Sequence, residues 1–443
     1  MTALFTFKTL SPLPLSPHLP NPNPNPNPNP NPPHPRTSSS SHRRRRTLIV
    51  TCSVEVERGV AFDTGDSFFR RESAAGRDLG VLAAAVHRHR RPSSSGLRVL
   101  DAMCGCGVRS LRYLSHGVAD FVWANDAFEG NNSLILANLS GEPRFDASGE
   151  RRWVVTHLDA NRVLAECYLR RNFFDLVDVD SFGSDSVFLR SAITAAKIGG
   201  LLYVTSTDGR SSGGHRPTCS LASYGAYVRP MPYSNEVGLR MLIGGVLREA
   251  AALGFHISPL FSYYSYHGPI FRVMLQVDYG KNHDVSRYGF ISYCSICGHS
   301  QTYSWDELGQ VSCPCRNGEV SSSVSVSGPL WIGPLHDPAF VAEMLQLAEE
   351  WGWAHTDRKD VDLMKLLNRM IDESDPQLPP GYIKIDEIAS RAKLNSPAIS
   401  IIIDTLQKEG YAACRSHIES NAIKTNCPMA TCIQIALRYG HWR

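Results

Sequence analysis

From residue 97 onward, short apolar runs alternate with stretches whose apolar residues recur every three to four positions. LRVLDAM, DFVWAND, RWVVTHLDA, FDLVDVD and GGLLYVTSTD read as strands, and segments such as VRSLRYLSHG and SVFLRSAITAAKIGG read as the amphipathic helices between them. That alternation predicts a doubly wound α/β sheet. Two further runs, HISPLFSYYSY and PIFRVMLQVDY, are joined by His267 and Gly268, which predicts an antiparallel hairpin at one sheet edge. Beyond Gly280 the pattern changes to a cysteine-bearing segment, a Ser/Val linker, and two helices, PAFVAEMLQLAEEWGW and VDLMKLLNRMID. The last stretch, IKIDEIASRAKLNSPAISIIIDTLQKEGY, reads as helix, turn, helix, as in a winged-helix-like module. The predicted organisation is therefore a tail over 1–54, an α/β domain over 55–280 and a C-terminal α+β domain over 281–443.

Composition changes the picture mainly at the N-terminus. Residues 1–54 hold no Asp or Glu, six consecutive Asn-Pro pairs from Asn21, and the run Arg43 to Arg46, a composition that cannot bury enough surface to fold. Rich in Ser and Arg and lacking an apolar core segment, the tract resembles an organelle transit peptide, chloroplast-type with mitochondria as the second choice. The formal charge of +3 falls to −3 once its six cations are set aside, so a polyanionic partner would need a local basic patch. No apolar run reaches membrane-spanning length, and the 42% hydrophobic content of the 443 residues suits a globular chain. Oligomeric state is not encoded in any of these features.

The chemistry sits at the strand ends. VLDAMCGCGVRSL places Asp101 at the end of a strand, then Gly105 and Gly107 in the turn before a helix, where small residues let a ligand approach the backbone and the helix N-terminus favours negative charge, so Asp101 and Gly105 are candidate cofactor contacts. The next strand ends at Asp126, twenty-one residues after Gly105, where a carboxylate can accept from both hydroxyls of a ribose. Asp159, with Ala160, ends a third strand and suits an adenine amine. In DLVDVDSFGSD, Asp180 ends a fourth strand at the same edge. Its carboxylate can accept a hydrogen bond from an aromatic exocyclic amine and take up a proton, while Phe182 stacks on the ring and Gly183 lets the loop pass close to it.

With these residues in place, the sheet looks like that of class I S-adenosylmethionine (SAM) methyltransferases, a Rossmann-like fold. The ordered blocks GRDLGVL, GVRSLRYL, AND, DVDSFGS, GGLLYVTSTDG, SYGAY, NEVGLR, GPLWIGPLHDPAFVAEML and SHIESNAIKT make the chain resemble the tRNA (guanine-26, N2)-dimethyltransferase family from about residue 55 to the C-terminus. The resemblance implies SAM as methyl donor and transfer RNA as partner. It further implies that Arg77, Arg109, Asp126, Asp159 and Ala160 bind SAM, that Asp180 is the catalytic acid/base, and that Phe182 and Phe68 hold the guanine. Two positions depart from the family pattern. Ser181 replaces the proline of the catalytic loop, which is expected to leave Asp180 less rigidly aimed, and Arg70-Arg71 stands where the family has Asn-Pro.

Cys294, Cys297, Cys313 and Cys315 could ligate a structural zinc, although Cys-Pro-Cys is tighter than the usual spacing and His299 is an alternative ligand. Near the C-terminus, CRSHIESNAIKT supplies Arg415, His417 and Lys424 as candidate RNA contacts, since basic side chains position phosphates. Two other readings stay open at this point. One is an RNA-binding protein or chaperone that keeps the fold without turnover; the other is a class I methyltransferase acting on a different amine.

Overall fold

The structure is a computed structural model that describes residues 54–91, 96–280, 285–316, 323–353 and 362–439; the expected transit tract lies outside them. After an N-terminal hairpin of β1 (Val54–Glu57) and β2 (Val60–Asp63), its central element is a seven-stranded sheet built from β3 (Arg98–Asp101), β4 (Phe121–Asn125), β5 (Trp153–Thr156), β6 (Phe174–Asp180), β7 (Ala196–Ser206), β8 (Phe255–Ser265) and β9 (Ile270–Tyr279). The order across the sheet is β5-β4-β3-β6-β7-β9-β8. The first five strands pair in parallel and β9 runs antiparallel to both β7 and β8, as the alternating pattern and the short His267-Gly268 connection predict. In such a sheet the strand order reverses between β3 and β6, so the carboxyl ends of those two strands open a crevice.

Side chains alternate across the sheet and divide the core in two. Val99 and Leu176 join the cluster of α1 (Ala74–His89) and α2 (Val108–Ser115), with Leu79, Leu82 and Leu111. Leu100 and Val177 join the opposite cluster, with Leu189 of the helix Ser186–Ala195 and Leu239 of the helix Ser234–Ala252. Both clusters continue past residue 280: Phe340, Met344 and Leu367 pack into the first, and Ile291, Trp331 and Ile418 into the second. The period of two also fixes the acids. Asp101 follows Val99, and Asp178 and Asp180 follow Leu176, so all three point to the face that α1 and α2 cover.

The C-terminal part carries a three-stranded antiparallel sheet, with β10 (Tyr288–Cys294) between β11 (Ser300–Tyr303) and β12 (Val324–Trp331). The two helices expected after it span Pro338–Glu350 and Leu363–Asp372. The expected helix-turn-helix spans Ile385–Ala392 and Ile399–Lys408. It is followed by the hairpin β14 (Ala413–Arg415) and β15 (Ala422–Thr425), with β13 (Ile383–Lys384) as third strand, around a core of Ile388, Ile402, Leu406, Ile423 and Ile435. No helix among the described residues is long and apolar enough to cross a membrane.

Burial sets one property of the whole fold. His336 and His87 are buried, and loss of water pulls both down to about 4, with Arg91 adding to the effect on His87. In the unfolded chain each titrates near about 6.5. Between those values the unfolded chain binds more protons, so stability is lost as pH falls from about 6.5 to about 4, by up to about 1.4 kcal/mol per pH unit for each histidine. Asp101 and Asp185, whose carboxyls burial raises to about 8 and about 6, act in the opposite sense over the same window, so the mark of a single histidine is the difference between variants. Thermal melting of His87→Gln should show a Tm that falls less, or rises more, between about pH 6.5 and about pH 4 than that of the wild type, and identical pH profiles would contradict the assignment.

Candidate active site

A cavity of about 700 Å3 opens at the carboxyl end of the parallel strands. Its lower wall is the turn after β3. Gly105 (φ +57°) and Gly107 (φ +83°) both adopt the left-handed conformation that favours glycine, and Gly107 caps the N-terminus of α2. Asp126 lies one residue past the end of β4. Its Oδ2 accepts from Gly105 N–H at 2.9 Å and its Oδ1 from Phe128 N–H at 3.0 Å. Asn131 Nδ2 also approaches Oδ1, at 3.5 Å; a carboxylate has about four lone-pair sites, so acceptor capacity remains on Oδ2 for a ligand hydroxyl. Asp159 lies three residues past β5 and caps the following helix, accepting from Arg162 N–H at 3.2 Å, while Ala160 begins that helix. Asp126, Asp159 and Ala160 all line the cavity.

Asp101 does not line it. The side chain is fully buried beneath the turn, accepts from Ser110 Oγ at 2.7 Å, and sits in register with Asp178 of β6. Burial, reinforced by Asp178, pushes its carboxyl up to about 8, so at neutral pH it is a protonated structural acid and not the ligand contact expected from the sequence. The strand's alternation turns it under α2 instead of out past the glycine turn.

The two acids of DLVDVD divide in the same way. Asp178 is wholly buried, accepting from Arg109 Nη1 at 2.6 Å and from the Tyr113 hydroxyl at 2.9 Å, and burial raises its carboxyl above the usual range. Asp180, at the strand tip, keeps 34% of its side chain accessible, with Oδ2 2.7 Å from Arg109 Nη2. Burial alone would raise its carboxyl, but Arg109 and then Arg272 outweigh it and hold the group below the ordinary carboxylate value. The carboxylate that can meet a ligand is thus the one kept ionised.

Arg109 spans both aspartates and packs over the Tyr203 ring, 5.3 Å from its centroid. Arg77 also lines the cavity, but its guanidinium is held by Glu57 and by the carbonyl of Arg70 at 3.0 Å. Arg272, on β9 opposite Thr205, was not singled out from the sequence. It is 2% exposed and lines the cavity, its Nη2 3.2 Å from Ser73 Oγ, and its guanidinium lies so close to Gly76 that a Cβ there would come within 2.8 Å of it. The signal that could have flagged it is a lone cation in the otherwise apolar run IFRVML.

The loop after β6 is pinned more firmly than the loss of proline suggests. Ser181 is buried and its hydroxyl donates to the Thr205 carbonyl at 3.2 Å. Gly183 (φ +77°) donates to Thr207 Oγ1 at 2.6 Å, and its carbonyl accepts from Thr207 N–H and Ser206 Oγ. Serine therefore replaces the ring's restraint with hydrogen bonds to the neighbouring strand end. At the mouth, Phe68 and Phe182 are exposed and meet edge to face, with ring centroids 4.7 Å apart. Arg70 lies over Phe68 at 5.2 Å and donates to the His267 carbonyl at 3.3 Å, whereas Arg71 turns outward to Glu55. Only one of the two arginines at the departure from the family pattern borders the cavity.

Two of the three C-terminal cations are not on the surface. Lys424 is 3% exposed and pairs with Glu236 of the helix Ser234–Ala252 at 2.7 Å, and Arg240 holds the same carboxylate at 2.8 Å. The His417 side chain is fully buried, with Nδ1 3.0 Å from Glu373. Both are corrected from RNA contacts to internal ties, because burying an acid such as Glu236 or Glu373 demands a paired cation or donor. Arg415, half-buried at the end of β14, remains on the module.

The four thiols of Cys294, Cys297, Cys313 and Cys315 converge, all within 4.8 Å of one another. Sγ separations of 3.3 Å for Cys297–Cys313 and Cys313–Cys315 and 3.8 Å for Cys294–Cys315 approach the edge of a tetrahedron with about 2.3 Å metal–sulfur bonds. The Cys-Pro-Cys spacing does not keep the thiols apart, and His299 stays outside the group. A second cluster, His336, Glu373 and His417, does not fit a metal. Ser262 N–H donates to His336 Nδ1 at 3.3 Å, so the neutral ring carries its proton on Nε2, the atom that would have to ligate. Ligating histidines donate from their outer nitrogen instead.

The sheet order, the glycine turn and the acids around it define the class: a class I methyltransferase fold with its ligand crevice at the strand ends. Comparison with known proteins narrows this. A family model for N2,N2-dimethylguanosine tRNA methyltransferase matches residues 50–437. The tRNA (guanine(26)-N(2))-dimethyltransferase of Thermococcus kodakarensis is 31% identical over 382 residues, covering 83% of this chain and 92% of the relative. That of Pyrococcus horikoshii is 30% identical over 383 residues, covering 84% and 92%. The structure of Trm1 from Pyrococcus horikoshii in complex with S-adenosyl-L-methionine superposes with a TM-score of 0.71 at 28% identity, covering 86% of this chain and 99% of that one. The chain belongs to the N2,N2-dimethylguanosine tRNA methyltransferase family.

Proposed function

We propose that the protein transfers methyl groups from SAM to the exocyclic N2 amine of a guanine in transfer RNA, at the position equivalent to 26, in a plant organelle of chloroplast type. The observation that carries the reaction is the ionised, partly accessible Asp180 sharing one cavity with Gly105, Asp126, Asp159 and Phe182. SAM fits the residues present: Asp126 retains acceptor capacity for a ribose hydroxyl, Asp159 and Ala160 would meet the adenine, and Arg77 and Arg109 line the same cavity. When bound, it supplies an electrophilic methyl group on a sulfonium.

The chain's own part is to prepare the amine. The N2 lone pair of guanine is drawn into the ring, and a carboxylate accepting one N–H returns density to nitrogen and aims it. Once nitrogen has gained a methyl group it is cationic and strongly acidic, so even a carboxylate of low basicity takes its proton. Arg109 and Arg272 keep Asp180 charged throughout the physiological range. Phe182 offers an apolar face to a base that has left its stack.

The test uses the chain lacking residues 1–52, labelled SAM and unmodified organellar transfer RNAs, followed by nucleoside analysis. Methylated N2-guanosine is expected from the wild type and not from Asp180→Ala. Tight RNA binding without label would favour the non-catalytic alternative.

The cysteine cluster is proposed to hold a structural zinc, since four thiolates close the shell and leave no position for chemistry. Backbone N–H groups of Cys297 and Ile296 help overcome burial and bring Cys294 down to about 6, which eases thiolate formation. Purified protein should contain about one zinc per chain, and chelation or Cys294→Ser should lower Tm. Metal-free protein with an unchanged melting curve would refute the assignment.

A further inference from the structure

A second cavity, of about 670 Å3, shares the tip of the β8–β9 hairpin with the catalytic one. Tyr263, Tyr264 and Tyr266 line this cavity, whereas Pro269, Ile270 and Arg272 line the other. Tyr266 and Pro269 are three residues apart, which limits the chain path between the two walls to about 11 Å. Across from the tyrosines stand Lys365 and Arg369 of the helix Leu363–Asp372, with His417 and Ser420 of the C-terminal module.

We propose that this cavity is a second RNA subsite, which takes one unstacked nucleotide of the same RNA that presents its guanine to Asp180; the inference rests on the function proposed above. The wall chemistry points to a nucleotide. Tyr266 is 64% exposed beside the cavity, and although its ring centroid lies 3.7 Å from that of His267, the surface it leaves in water can receive a base. Lys365 is paired with Asp362 at 3.0 Å, and Glu419 lies 3.4 Å from Lys384, so those charges are largely compensated. Arg369 has no ion-pair partner among the described residues, which leaves one guanidinium to meet a phosphate. An acidic peptide would find one available cation beside two carboxylates; a base with a single phosphate finds a ring and a matching charge. A guanine drawn out of its stack also disturbs its neighbours, so a second unstacked nucleotide would be available near the first.

The experiment uses the full chain, with Tyr266→Ala and Arg369→Gln, and measures equilibrium binding of an unmodified transfer RNA transcript together with methyl transfer from labelled SAM. Both variants should weaken RNA binding, Tyr266→Ala by about 10-fold to 100-fold, with SAM affinity and kcat at saturating RNA unchanged. A scan of single abasic substitutions should then find one nucleotide whose removal weakens binding to the wild type but not to Tyr266→Ala, which identifies the occupant. Wild-type RNA affinity in both variants, or a scan in which no abasic site is masked by Tyr266→Ala, overturns the proposal. A cavity serving a protein partner or a free mononucleotide gives that same result. RNA binding is read without turnover, so an inert but RNA-binding chain would overturn the methyltransferase reading and leave this one standing.

Discussion

Asp180→Asn should lower kcat by about 100-fold to 10,000-fold, the usual worth of a positioned proton acceptor. Asparagine preserves the shape of the side chain but presents an amide where the guanine amine needs a negative acceptor. Because Asp180 is partly accessible and Arg109 keeps Asp178, the variant should fold, with a Tm lowered by the loss of one carboxylate beside two buried guanidiniums, and its affinities for SAM and RNA should change little. The measurement is single-turnover methyl transfer at saturating substrates. A rate within threefold of wild type would remove Asp180 from the chemistry. In the wild type the pH profile carries a second mark of the same group: Arg109 and Arg272 hold its carboxyl below the ordinary value, so no acid limb from Asp180 should appear near neutrality.

Arg109→Met should have two large effects with one cause. The fully buried Asp178 loses its guanidinium partner, and breaking a buried pair by removing one side costs about 3–5 kcal/mol. Asp180 loses its nearest cation, so its carboxyl rises and the protonated fraction grows as pH falls. Activity in the folded variant should therefore show an acid limb displaced upward relative to wild type, which a merely structural role would not produce. Should Arg109→Met fail to fold, Arg109→Lys keeps one charge but cannot span both carboxylates as the planar fork does. It should fold with a lower Tm and a smaller displacement in the same direction. Denaturant titration and the pH dependence of single-turnover rate check both variants; an unshifted profile in a folded variant would refute the coupling.

The sheet was readable because its strands are apolar and interrupted by helical periods, and β6 spans the very residues of FDLVDVD. Positions one to three residues past a strand were less so. RWVVTHLDA reads as one run, yet pairing stops at Thr156 and Asp159 serves as the cap of the next helix. The site's acids were visible, but the division of labour among them was not, since it depends on which carboxylates α2 covers. Lys424 and His417 show the limit most plainly. A basic residue in a C-terminal segment reads as surface charge, and its partner Glu236 lies 188 residues away. Arg272 escaped for the opposite reason: its neighbours read as core, and only the cavity reveals what a buried guanidinium is doing there. The thiols converged despite an unusual spacing because β10 and the turn at 313–315 fold over one another, a long-range matter that spacing alone does not encode.

The Lys424–Glu236 tie sets a further constraint on how a target is chosen. Swinging the C-terminal module away from the sheet would part Lys424 from Glu236, leaving Arg240 on that carboxylate, and would pull Ile418 and Ala422 out of the second core cluster into water. The span between the module and Asp180 is accordingly a gauge that resists opening. An RNA of the wrong proportions cannot be accommodated by bending the protein, and the burden of fitting falls on the folded shape of the nucleic acid.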